Sequence, residues 1–152
     1  MKVLNVKGKL LIIVVLFSML IIGACSNQNI VTKKSDEEDK STESLGSTYG
    51  FIVLNVVADT KEMKDMLTIN YEEKRDKTEA VYENKVEDLY LHGDKAMEKL
   101  ETYFEELEFE PDMADEDLIK NAAEVFEVMG YQSLKVTIKF KGHDTKKLMM
   151  TK

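Results

Sequence analysis

Leu134-Lys135-Val136-Thr137-Ile138-Lys139-Phe140-Lys141 is the stretch whose reading decides the fold, because apolar side chains at every second position alternate with polar ones. A period of two puts the apolar set on one face of an extended chain and the lysines and threonine on the other, so the segment is a strand buried on one side only. Downstream, Lys141-Gly-His-Asp144 turns the chain into a short last strand around Leu148. Upstream the period changes. Ala96, Met97, Leu100, Phe104 and Leu107 recur at helical spacing after Gly93-Asp94, which predicts a helix ending near Glu108. Pro111 marks a short connection. Asp115 to Asp117 then cap and charge a second helix with the stripe Leu118, Ile119, Ala122, Phe126 and Met129, and Gly130 is its expected C-terminal cap.

Ahead of the helices, Phe51-Ile-Val-Leu-Asn-Val-Val-Ala58 is a β-branched apolar run closed by Asp59-Thr60, which reads as a strand. Leu67, Ile69 and Tyr71 alternate with Thr68, Asn70 and Glu72 in a second strand. Glu73 to Lys77 makes a turn, and Ala80 and Tyr82 share one face of a third strand. The expected order is βββααββ: an α+β domain with an antiparallel sheet of about five strands and two helices on one face. In the opening strand both rows are apolar, with Phe51, Val53 and Val57 facing one way and Ile52, Leu54 and Val56 the other. With helices on one side only, one row needs cover from a loop or from the residues before Tyr49. Without cover it is an exposed patch and a candidate protein-binding surface.

Three segments follow along the chain. Residues 1–24 carry Lys2, Lys7 and Lys9 followed by the apolar run Leu10 to Ala24, the pattern of a secretory signal peptide. The 15 residues between Lys9 and Cys25 fall short of the 20 or so that a spanning helix needs. Residues 25–48 begin at Cys25 and continue as a polar, charged stretch, read as a disordered tether with an end-to-end distance of roughly 25 Å. Such a tether would hold the folded domain, 49–152, near a bilayer without docking it. Cys25 is the single cysteine, so a modified Cys25 leaves no thiol for a disulfide and stability must come from burial. Removing residues 1–24 takes three lysines and no acid, so 18 bases face 29 acids and the net charge moves from −8 to −11. That balance disfavours nucleic acid as a partner.

Ile21-Ile-Gly-Ala-Cys25 resembles the lipobox of bacterial lipoproteins. The resemblance implies a diacylglycerol thioether on Cys25 and cleavage between Ala24 and Cys25. The lipobox, the polar tether, the opening Tyr49-Gly-Phe-Ile-Val-Leu-Asn-Val56, the Leu91-His-Gly-Asp-Lys-Ala-Met97 entry to the first helix and the closing Leu134 to Gly142 together resemble the YusW-like lipoproteins of Bacillus-type Gram-positive bacteria. What this implies is a domain anchored by lipid to the extracytoplasmic face of the cell membrane. It supplies no catalytic, cofactor-binding or metal-ligating residues to carry over.

The residues themselves assign none either. His92 and His143, the only histidines, fall in expected turns with no cysteine or second histidine at zinc-ligand spacing. Nucleophile elbows, zinc-protease helices and glycine-rich phosphate loops are missing from the sequence. Between Glu105 and Asp117 lie eight acids and no base. They favour the start of the second helix and oppose the end of the first, so a divalent cation or a basic partner could compensate them. Lys135, Lys139 and Lys141 share the wet face of the decisive strand, with Lys146 and Lys147 beyond the turn. Lysines there guard a sheet edge, or else meet anionic headgroups and wall polymers. The expected function is a non-enzymatic interaction or binding module held through Cys25, with a possible envelope protein as partner. The alternatives are a small envelope hydrolase using two acids, one raised in pKa, and an accessory factor for a membrane or secreted enzyme that leaves Ile52, Leu54 and Val56 uncovered.

Overall fold

The computed structural model describes residues 28–32, 45–46 and 48–152. The decisive stretch is a strand, β6 (Ser133–Phe140), and every other expected strand is present: β2 (Phe51–Asp59), β3 (Leu67–Glu73), β4 (Thr78–Asn84) and β7 (Thr145–Thr151). Two more join them, β1 (Ile30–Val31) and β5 (Leu89–His92), so the order is βββββααββ and the antiparallel sheet has seven strands, not about five. Across the sheet the order is β1-β4-β3-β2-β6-β7, with β5 also on β4. The chain therefore puts its first long strand, β2, at the centre. β1 and β5 lie end to end along the outer side of β4, β1 pairing with Thr78 and Glu79 and β5 with Val81 to Asn84.

Both strands escape a periodicity reading because of their length. Two residues have no period, and the four of Leu89–His92 are followed at once by a helix. Their hydrogen bonds come from β4, which would otherwise present an unpaired ladder to water. The stretch read as tether thus contributes a strand to the sheet. Residues 33–44 and 47 of that stretch lie outside the described ones, as do residues 1–27 with Cys25.

Helices α1 (Asp94–Phe104) and α2 (Asp115–Val125) lie on one face of the sheet, α1 over β4 and β5, α2 over β6 and β7. Their stripes, Ala96, Met97, Leu100 and Phe104, and Leu118, Ile119, Ala122 and Val125, close over Leu54, Val56, Ile69, Tyr82, Val136 and Ile138. At one end Phe51, Tyr71 and Phe104 meet edge to face with ring centres 5.2 to 5.8 Å apart. Burial in this cluster pushes the Tyr71 phenol well above its ordinary value and that of Tyr49 up to about 12.

Several local expectations are corrected. Leu54 and Val56 have no exposed surface and belong to the core, so the row Ile52, Leu54, Val56 is not an uncovered patch. A bulge between Phe51 and Val53 shifts the alternation, which puts Phe51, Leu54, Val56 and Ala58 on the same side. Helix α1 ends at Phe104, four residues before Glu108. Leaving the helix early lets Phe109 reach the core beside Phe51, with ring centres 6.3 Å apart. Asp115 to Asp117 supply first-turn charge to α2 but no cap, since the cap position is Ala114. Gly130 is not the terminating residue. Glu127 holds the left-handed position at φ 55°, Val128 N–H donates to Ala123 O at 3.0 Å and Glu127 N–H to Glu124 O at 3.0 Å. The helix so ended buries Val128 and leaves Met129 78% exposed, outside the stripe assigned to it.

Candidate functional site: a clasped sheet edge

The best-defined polar cluster among the described residues lies where β1 meets β5 on the edge of β4. Asn29 O accepts from Ala80 N–H at 2.8 Å, and Ala80 O accepts from Gly93 N–H at 2.9 Å, so one residue of β4 is bonded to both segments. Gly93 has φ +56°, and a Cβ there would come within 2.5 Å of Ile30 O and 2.8 Å of Gln28 O. Only glycine lets the incoming segment lie so close. Beyond it, the Asp94 carboxylate accepts from both Thr32 N–H and the Thr32 hydroxyl while opening helix α1. On the other side His92 Nδ1 stands 2.5 Å from Asn29 Oδ1, and the Tyr90 ring meets the His92 ring edge to face at 4.1 Å. His92 is thus a strand residue of the clasp and not a turn residue.

Register places the remaining expected groups. On the face away from the helices, Glu72, Glu79 and Glu83 lie on β3 and β4, Val53, Asn55 and Val57 on β2, and Lys135, Lys139 and Lys147 on β6 and β7. The wet face therefore runs from acidic to basic across its width. Lys74 and Lys77 hold the Glu79 carboxylate below its usual range from the β3–β4 turn. The expected basic pole divides. Lys146 pairs with Ile138, whose side chain is core, so it reaches round to the helix side and contacts Asp115 Oδ1 at 3.2 Å and Met113 O at 2.9 Å. It is a base from outside α1 and α2 that meets the acid run 105–117. Lys120 meets Glu116 at 2.7 Å within α2. Among the described residues no group of three or more acids, histidines or cysteines converges as metal ligands would.

At the far end of β2 is an open cleft of about 530 Å³ lined by Asp59, Lys64, Gln132, Ser133 and Lys152 among others. Its one partly sheltered acid is engaged. Asp59 accepts from Asp65 N–H at 2.8 Å and from the Ser133 hydroxyl at 2.6 Å, and these bonds hold its carboxyl below the ordinary range. His143 lies in the β6–β7 turn against Phe140, with ring centres 6.4 Å apart.

Sequence reasoning missed Asn29, Thr32 and the role of Asp94. The signal available was the β-branched pair Ile30-Val31, the one place in an otherwise polar stretch where a strand could start. Among the described residues no helix is long and apolar enough to cross a membrane. No curated protein and no solved structure matches the chain. The family model described as YusW-like protein matches residues 56–142, from the middle of β2 through the turn after β6. That match takes in the central strands, both helices and Gly93, covers more than half of the sequence, and shows that the chain belongs to the YusW-like family.

Proposed function

We propose that this chain is a lipid-anchored interaction or binding module on the extracytoplasmic face of the cell membrane, tethered through Cys25. The observation that carries the reading is the run Leu10 to Ala24, basic before it and ending in Ile21-Ile-Gly-Ala-Cys25. A diacylglyceryl group adds two chains, and at about 0.8 kcal/mol per buried methylene two chains hold a protein to a bilayer where one would not.

The fold supports binding over catalysis on two counts. A hydrolase working with a pair of carboxyls needs one of them raised in pKa. Among the described residues, the carboxylates whose protonation is perturbed, Asp59, Glu79 and Glu116, are all pushed down, each by hydrogen bonds that favour its charged form. The second count is the helix-free sheet face, with its acidic and basic halves, which offers a partner a broad surface in place of a closed cavity.

The test is a Cys25→Ser protein expressed in its own host and fractionated. The expected outcome is release from membranes or retention of residues 1–24. A Cys25→Ser chain that is still cut after Ala24 and still sediments with membranes contradicts the anchor. Crosslinked purification of the anchored form, with Cys25→Ser as control, then addresses the partner. An envelope protein recovered only with the anchored form supports the interaction reading.

A further inference from the structure

We propose that the clasped edge of the sheet, β1 and β5 on β4, lies against the bilayer, while the β7 edge points away from it. The inference rests on Cys25 being the anchor and adds to it an orientation. Cys25 precedes Gln28 by three residues, and Gln28 O is already fixed near the Gly93 backbone. Three residues reach roughly 11 Å at full extension. The lipidated residue therefore stays within that distance of the middle of the clasped edge. A tether running free to Tyr49 would have allowed roughly 25 Å and any orientation. From β1 to β7 there are five strand spacings, roughly 24 Å, so both edges cannot sit at the headgroups together.

The side chains along the near edge fit that place. Tyr90, on the outermost strand, is 60% exposed and combines an apolar ring with a hydroxyl, the chemistry that favours the boundary between headgroups and acyl chains. Val86, in the turn leading to it, is exposed as well. No attraction of charge is needed, because the anchor is covalent. Lys135, Lys139 and Lys147 belong to the far half of the sheet and are held away from the membrane that carries the protein. An anionic group that meets them belongs to another molecule.

Tyr90 and Met149 make a matched pair of reporters, 60% and 64% exposed, one near each edge. The experiment is hydroxyl-radical footprinting of the processed, lipidated protein in phosphatidylglycerol–phosphatidylethanolamine vesicles, with the Cys25→Ser protein in solution as reference. Tyr90 oxidation is expected to fall at least about threefold on the vesicles while Met149 oxidation is unchanged. A flexible spacer of about ten residues between Asn27 and Gln28 leaves the clasp intact and is expected to restore Tyr90 oxidation with the protein still bound. Equal loss at both residues, no loss at Tyr90, or a loss that the spacer does not relieve overturns the orientation. Mass spectrometry of Cys25 separates the two proposals. If Cys25 is unmodified, the anchor reading fails, and coupling its thiol to maleimide-bearing lipid lets the same footprint decide the orientation.

Discussion

The two edges of the sheet solve the same problem by different means. Each ends in a row of backbone groups that would pair with any passing strand. On one side β4 is closed by two short strands from distant parts of the chain, joined at Gly93 and fastened by Asn29, Thr32 and Asp94. On the other side β7 is a single seven-residue strand with Thr145, Lys147, Met149 and Thr151 on its wet face and Lys146 tied to the start of α2. The first edge is covered, and the second is guarded by charge. The covered edge is the one nearest in sequence to Cys25, so under the proposed anchoring the closure of the sheet also fixes where the membrane is attached.

The largest break in this contrast comes from Gly93→Val. A side chain at φ +56° is strained, and its Cβ meets two carbonyl oxygens of the incoming segment. Urea unfolding should show a loss of about 3 kcal/mol. Limited proteolysis should find a new cut near residue 32. Next is Asp94→Ala, which removes two charge-assisted bonds to Thr32 together with a favourable first-turn acid. The expected cost is about 1.5 kcal/mol in the same assay, and adding Thr32→Val to Asp94→Ala should cost little more. At the opposite edge, Lys146→Met removes one ion pair and one bond to a backbone carbonyl. With Asp115 largely in water, the loss should be about 0.5 to 1 kcal/mol and should shrink in high salt.

The smallest effect is one of pH. Asp59 has a folded pKa below its unfolded value of 3.8, so its contribution is present above that value and is lost as pH falls through the folded pKa. Asp59→Asn should lack this part of the acid limb. Urea midpoints of the two proteins should converge as pH falls below 3.8 and differ above it.

The central strands and helices were legible because each has enough residues to display a period. Leu134 to Phe140, Leu67 to Tyr71 and the stripe from Ala96 to Phe104 lie on the core as read. The clasped edge was not legible. Ile30-Val31 is too short for a period, its pairing partner is nearly 50 residues away, and its stability comes from a backbone approach that needs no side chain at Gly93. The β2 faces were misassigned for a related reason. In a run apolar on both sides, one bulge exchanges the rows without leaving any mark in composition. Likewise Glu127 in a left-handed position, three residues before a glycine that could have served, reflects the need to bury Val128, which only the packed structure reveals. For the site, the lysines of β6 and the acid run were visible as charge, but which of them meet was not. Lys146 and Asp115 come together through the β6–β7 register and the entry angle of α2.

Native-state hydrogen exchange at Ala80 tests most directly whether the folded domain begins only three residues after Cys25. The Ala80 N–H faces the outer edge of β4 and donates to Asn29 O at 2.8 Å. Its exchange should be as slow as that of the β4 amides bonded to β3 and should become fast in Gly93→Val. An Ala80 amide that exchanges freely while its β4 neighbours stay protected would mean that the N-terminal segment is not part of the sheet, and the clasp would be wrong.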